Sequence, residues 1–108
     1  MAQRYKVLGQ SAPAATTLTS LYTVPANTSA VISTISVCNR GVTTSFRVAI
    51  RPAGATIANE HYIVYENVVN QYDSVFLTIG VSLAASDVLS VYSGTADLSF
   101  NAFGVENY

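Results

Sequence analysis

Charge is scarce in this chain. Five basic and six acidic residues make up 10% of its 108 positions, where about 25% is usual. Ser, Thr and Asn stand where a surface normally carries Lys and Glu. Covering such a surface removes few full charges from water, and low net charge favours association. We therefore expect a protein that works packed against neighbours. A formal net charge of −1 gives no bulk attraction to nucleic acid.

Tryptophan is absent, and cysteine and histidine occur once each. The lone Cys38 rules out an intrachain disulfide. At the end of an apolar run it is expected to be a buried, inert thiol. No apolar run approaches the ~18 residues of a membrane-spanning helix, so no membrane partner is expected. The start, MAQRYKVLGQ, lacks the apolar core of a signal peptide. Synthesis in a reducing cytoplasm is the resulting expectation.

Catalytic chemistry is also thin. A nucleophile–base pair needs a base, and His61 is the only histidine, set among aromatic residues. No Asp, Glu, His or Cys spacing matches a metal site. No glycine-rich loop opens a helix to cradle phosphate. No enzyme activity, metal or cofactor is expected. Asn27-Thr28-Ser29 matches a glycosylation sequon but reads as a turn after Pro25. Asp87 reads as a turn residue that accepts backbone N–H bonds.

What the chain does have is alternation. In 29–51, SAVISTISVCNRGVTTSFRVAIR, Val31, Ser33, Ile35 and Val37 share one face of a first strand. In a second, Phe46, Val48 and Ile50 oppose Arg47, Ala49 and Arg51. A period of two fits half-buried strands, not a helix. Asn39-Arg40-Gly41 breaks the run with residues that tolerate positive φ. The pair is either a hairpin or two strands facing each other across a sandwich.

Further strands are expected at 17–24, where Leu21 breaks the pattern, at 60–65 and at 74–79. Val81–Leu83 would continue the last of these after a bulge at Gly80. Val88–Tyr92 and 96–103 complete the set, and 66–73 reads as a polar connection. Gly9, Pro13 and small residues make 1–15 an N-terminal arm, with the sandwich domain at 16–108. About seven or eight short strands separated by turn signals predict an all-β, antiparallel β-sandwich, immunoglobulin-like or jelly-roll.

Seven tyrosines are the enriched aromatics. They suit sheet packing, protein interfaces, or platforms for sugars. The basic residues all precede position 52 and the acidic ones all follow it. Arg40, Arg47 and Arg51 are thus candidates for a basic contact stripe, against the simpler expectation of pairing with acids on a neighbouring strand. Tyr5 and Tyr22 are candidate anchors for the arm.

The segments LYTVPANTSAVISTISVCNRG, FRVAIRPAG, HYIVY, SVFLTIGVSLAASDVLSVYS and LSFNAFGVE, in this order, resemble small virion proteins of tailed bacteriophages, cyanophages especially. The likeness runs from about residue 16 to 106 and excludes the arm. It implies a β-sandwich without enzyme activity, repeated on a capsid or tail. The expected role is a capsid decoration or cement protein. A tail, neck or fibre-attached module, and a host-glycan-binding module, are the alternatives. The expected partners are the major capsid or tail protein of the same virion and further copies of this chain.

Overall fold

The computed structural model describes residues 2–108. Eight strands follow one another: β1 (Gln3–Ser11), β2 (Thr19–Thr23), β3 (Ser29–Asn39), β4 (Thr44–Arg51), β5 (Tyr62–Val69), β6 (Ser74–Leu83), β7 (Val88–Ser93) and β8 (Leu98–Asn107). Single 3₁₀ turns at Pro52–Gly54 and Asn59–His61 lie between β4 and β5. The strands form two four-stranded antiparallel sheets. Sheet A has the order β1-β8-β3-β6 and sheet B the order β2-β7-β4-β5.

That order separates the two topologies left open by the sequence. Strand pairs 1–8 and 3–6 lie in one sheet, and 2–7 and 4–5 in the other. This is a long antiparallel ribbon rolled so that alternate pairs fall in alternate sheets, which is the eight-stranded jelly roll. β3 and β4 are therefore not a hairpin; they face each other across the core.

Each strand contributes its inward side chains to one core. Ile32, Ile35, Val37 and Phe100 from sheet A meet Phe46, Val48, Leu89 and Val91 from sheet B. Phe46 and Phe100 touch edge to face across the layers, with centroids 6.1 Å apart. Burying side chains of this size contributes about 1.5–3 kcal/mol each.

Bulges correct the simple alternation. In β3 the buried residues are Ala30 and Ile32, then Ile35, Val37 and Asn39. Ser33 is an extra residue opposite β8, so the inward parity switches there and Val31 turns outward. Leu21 is likewise an extra residue in β2 opposite β7, and it is buried beside Tyr22. The expected bulge in β6 is present, with Gly80 at φ +58°. The expected arm is different: residues 3–11 form the edge strand β1, paired with β8 from Gln3–Asn107 to Ser11–Phe100. Gly9 marks the neighbourhood of a bulge at Leu8, not a loose connection. Residues 66–69 belong to β5 rather than to a connection.

Candidate functional site

The outward face of sheet A is built from cross-strand rows. Tyr5, Val105, Val31 and Ser82 make one row; Val7, Phe103, Thr34 and Thr78 the next; Gln10, Asn101, Ser36 and Phe76 a third. Gln3 and Asn107 close one end with a side-chain hydrogen bond of 2.9 Å. Ser99, Cys38 and Ser74 close the other. None of these rows holds a Lys, Arg, Asp, Glu or His. The apolar members are open to solvent: Tyr5 is 80% exposed and Phe76 68%. A groove of about 390 Å³ runs between Tyr5, Val7, Val31, Phe103 and Val105, with Lys6, Ser33 and Gly104 completing its lining. Cys38 is half-buried on this face rather than in the core.

The outward face of sheet B differs in character. Arg47 on β4 pairs with Glu66 on β5 at 2.6 Å. Its guanidinium lies 4.2 Å from the ring centre of Tyr92, 4.5 Å from that of Tyr65 and 6.0 Å from that of Tyr62. Ser45 donates a second hydrogen bond to Glu66, at 2.7 Å. The Arg47 guanidinium, with help from Ser45, holds the Glu66 carboxyl below the usual glutamate range. Arg51 spends its donors on Ser90, Ser20 and the carbonyls of Gly54 and Ala55.

Arg40 belongs to neither group. It donates to Ser99 Oγ at 2.8 Å and to the Ala96 carbonyl at 3.1 Å, on the sheet A side. The three arginines therefore do not line up as one free stripe. Arg47 makes the neighbouring-strand pair that was the simpler expectation. Tyr5 sits on the open face of sheet A. Tyr22, expected beside it as an anchor, is instead in the core, at 8% exposure. The bulge at Leu21 turns Leu21 and Tyr22 both inward, out of reach of any neighbour.

Tyr22 donates its hydroxyl proton to Glu106 Oε2 at 2.6 Å, and Lys6 lies 3.3 Å from Oε1. Burial, then the adjacent carboxylate, pushes the Tyr22 hydroxyl well above its ordinary value, so it remains a donor. The Tyr22 hydrogen bond, with Lys6 and Arg4 nearby, pulls the Glu106 carboxyl below its ordinary value against the opposing effect of burial. A depressed folded-state value means that stabilisation is present above the unfolded glutamate value, about 4.3, and is lost as pH falls through the folded value. Stability measured by urea titration should decline as pH drops below about 4.3. Glu106→Gln should flatten part of that decline, leaving the part that Glu66 contributes. An identical acid profile in the variant would show that this carboxylate is not responsible.

Two other singled-out residues have structural roles. Asp87 accepts from the Ala84 and Ala53 amides, both at 2.9 Å, which ties the β6–β7 turn to the turn after β4. His61 Nδ1 accepts from the Ala58 amide at 3.0 Å. Among the described residues no three His, Cys, Asp or Glu side chains converge as metal ligands.

Sequence reasoning missed the sheet A face because its rows draw on four strands far apart in the chain. The chain matches no protein-family model and no curated protein.

Proposed function

We propose that this protein is a structural component of a tailed-phage virion that clads the capsid, docking through the outward face of sheet A. One observation carries the reading: three cross-strand rows spanning a four-stranded face hold no charged residue, with a largely apolar groove across them and charge only at the margin, in Lys6 beside the groove and Arg40 at Ser99. A face of this kind sheds its water at small cost. The molecule measures 44 × 27 × 19 Å, so its broad side is ample for the roughly 800 Å² per partner of a standard interface. Many copies arranged by shell symmetry then add weak contacts into a stable coat. The segment likeness to small virion proteins supports the choice of partner, the major capsid protein. A tail or neck site would use the same face against a different neighbour.

The test is co-sedimentation of purified protein with capsids and, separately, with tails. Capsids should retain the protein, and retention should change little between low and high salt. Phe103→Glu places an unpaired charge in the groove, a burial penalty of about 3–5 kcal/mol, so binding should fall more than about 100-fold. The variant should stay folded, because Phe103 is exposed. Retention by tails alone would move the protein to the tail. Unchanged capsid binding by the variant would remove sheet A from the interface.

A further inference from the structure

The edge strand β5 carries a second built feature, on the opposite side of the sandwich from the proposed docking face. Two bulges interrupt its pairing with β4, one at Ile63 and one around Glu66, where φ is +53°. In a regular strand, Tyr62 and Tyr65 would point to opposite faces. The bulge at Ile63 restores them to the same outward side, since Val64 between them packs on the core. Their rings meet edge to face at 5.0 Å and 80°. The corner they form with Asn59 lines an open hollow of about 410 Å³. That lies within the range of small-ligand clefts, roughly 300–1,000 Å³. Tyr65 remains 60% exposed there.

The corner is stiffened from behind. Arg47 stacks on Tyr65 and Tyr92 and is fixed by Glu66. An aromatic surface held in place before binding loses less entropy when a ligand arrives. Its chemistry has two parts: ring faces for C–H groups, and a rim of phenol hydroxyls and the Asn59 amide for hydrogen bonds. The formal charge around it is not positive, because Glu66 neutralises Arg47 and Glu60 adjoins Asn59. Anionic ligands gain nothing there. A neutral pyranose has the matching pattern, with an apolar C–H face and equatorial hydroxyls at its edge.

We propose that the Tyr62–Tyr65 corner is a binding subsite for a neutral pyranose unit of a polysaccharide. It is independent of the docking face. A particle coated with this protein on sheet A would present the corner outward.

Titrating the isotope-labelled protein with cellotriose, maltotriose and, as the charged control, trigalacturonate tests the proposal. Saturable shifts at Asn59, Tyr62 and Tyr65 with a neutral trisaccharide are expected, and none with trigalacturonate. Tyr65→Ala should weaken neutral-sugar binding at least about tenfold, and Tyr65→Phe should keep it within about threefold, because stacking needs the ring and not the hydroxyl. Phe103→Glu should bind sugar normally, which separates this site from the capsid contact. No shift with either neutral sugar, shifts only with trigalacturonate, or unchanged binding by a folded Tyr65→Ala would each overturn the proposal. So would capture of a proline-rich peptide with no response to sugar.

Discussion

Gly104→Ala should destabilise the protein by more than about 3 kcal/mol and lower its Tm by more than about 12 °C. Gly104 lies in β8, between Lys6 of β1 and Ile32 of β3. A β carbon there would fall 2.0 Å from the Val31 carbonyl oxygen and 3.0 Å from the Ile32 α carbon. Both are backbone atoms of the neighbouring strand, so no rotamer change relieves the clash. This close approach lies next to the bulge at Ser33, where the inward parity of β3 switches. Relief requires the two central strands of sheet A to separate. Gly80→Ala supplies the comparison. Gly80 has a positive φ, but nothing lies within 4 Å of the added carbon, so it should cost only the roughly 1–2 kcal/mol of a left-handed conformation. Equal losses for the two variants in urea titrations would mean that the close approach does not constrain the fold.

Asn39→Asp should cost about 3–4 kcal/mol at neutral pH. Asn39 is buried at the end of β3. Its amide nitrogen donates to the carbonyls of Val42, Val69 and Asn70 at 2.8, 3.1 and 3.2 Å. Its oxygen accepts from the Gly41 amide at 2.9 Å. One side chain thus joins the β3–β4 turn to the end of β5 and the turn beyond it. Aspartate would replace a donor by a carboxylate facing three carbonyl oxygens. That raises the folded-state value of the new acid above its unfolded value, about 3.9. Such a group favours the fold when protonated, so the gap to the wild type should narrow as pH falls towards about 4. A gap that is constant with pH would show that lost packing, not the reversed hydrogen bonds, causes the destabilisation.

The sequence conveyed the layered all-β architecture because alternation is a local property. Phe46, Val48 and Ile50 do face inward opposite Arg47 and Arg51, and Gly80 does mark a bulge. Where alternation misled, one extra residue had switched the parity. Leu21 broke the pattern of β2 visibly, and that break was the trace of the bulge that buries Tyr22. Ser33 left no such trace, because Val31 and Ile32 are both apolar and either could have pointed inward. The arm was misread for a different reason. β1 is an edge strand whose outer row is Tyr5 and Val7 and whose other side carries Arg4 and Lys6, so little of it resembles a core strand.

The two outward faces were legible only in part. Low charge signalled a surface suited to burial, but could not say that the central rows of the sheet A face would hold none of the charged residues. That arrangement needs the pairing of β1 with β8 and of β3 with both β6 and β8. The tyrosine corner was hidden for the same reason as Tyr22: residues three apart share a face only when a bulge lies between them.

The order of sheet A also sets the timetable of folding on the ribosome. Of these eight strands β1 is made first, yet its only neighbour in the sheet is β8, the last of the eight. β3 likewise lacks one partner until that segment emerges. Pairings so distant in the chain form slowly, and unpaired strand edges invite aggregation in the meantime. The nascent chain must therefore carry this sheet open until β8 has been made, and then close it from the middle with one strand.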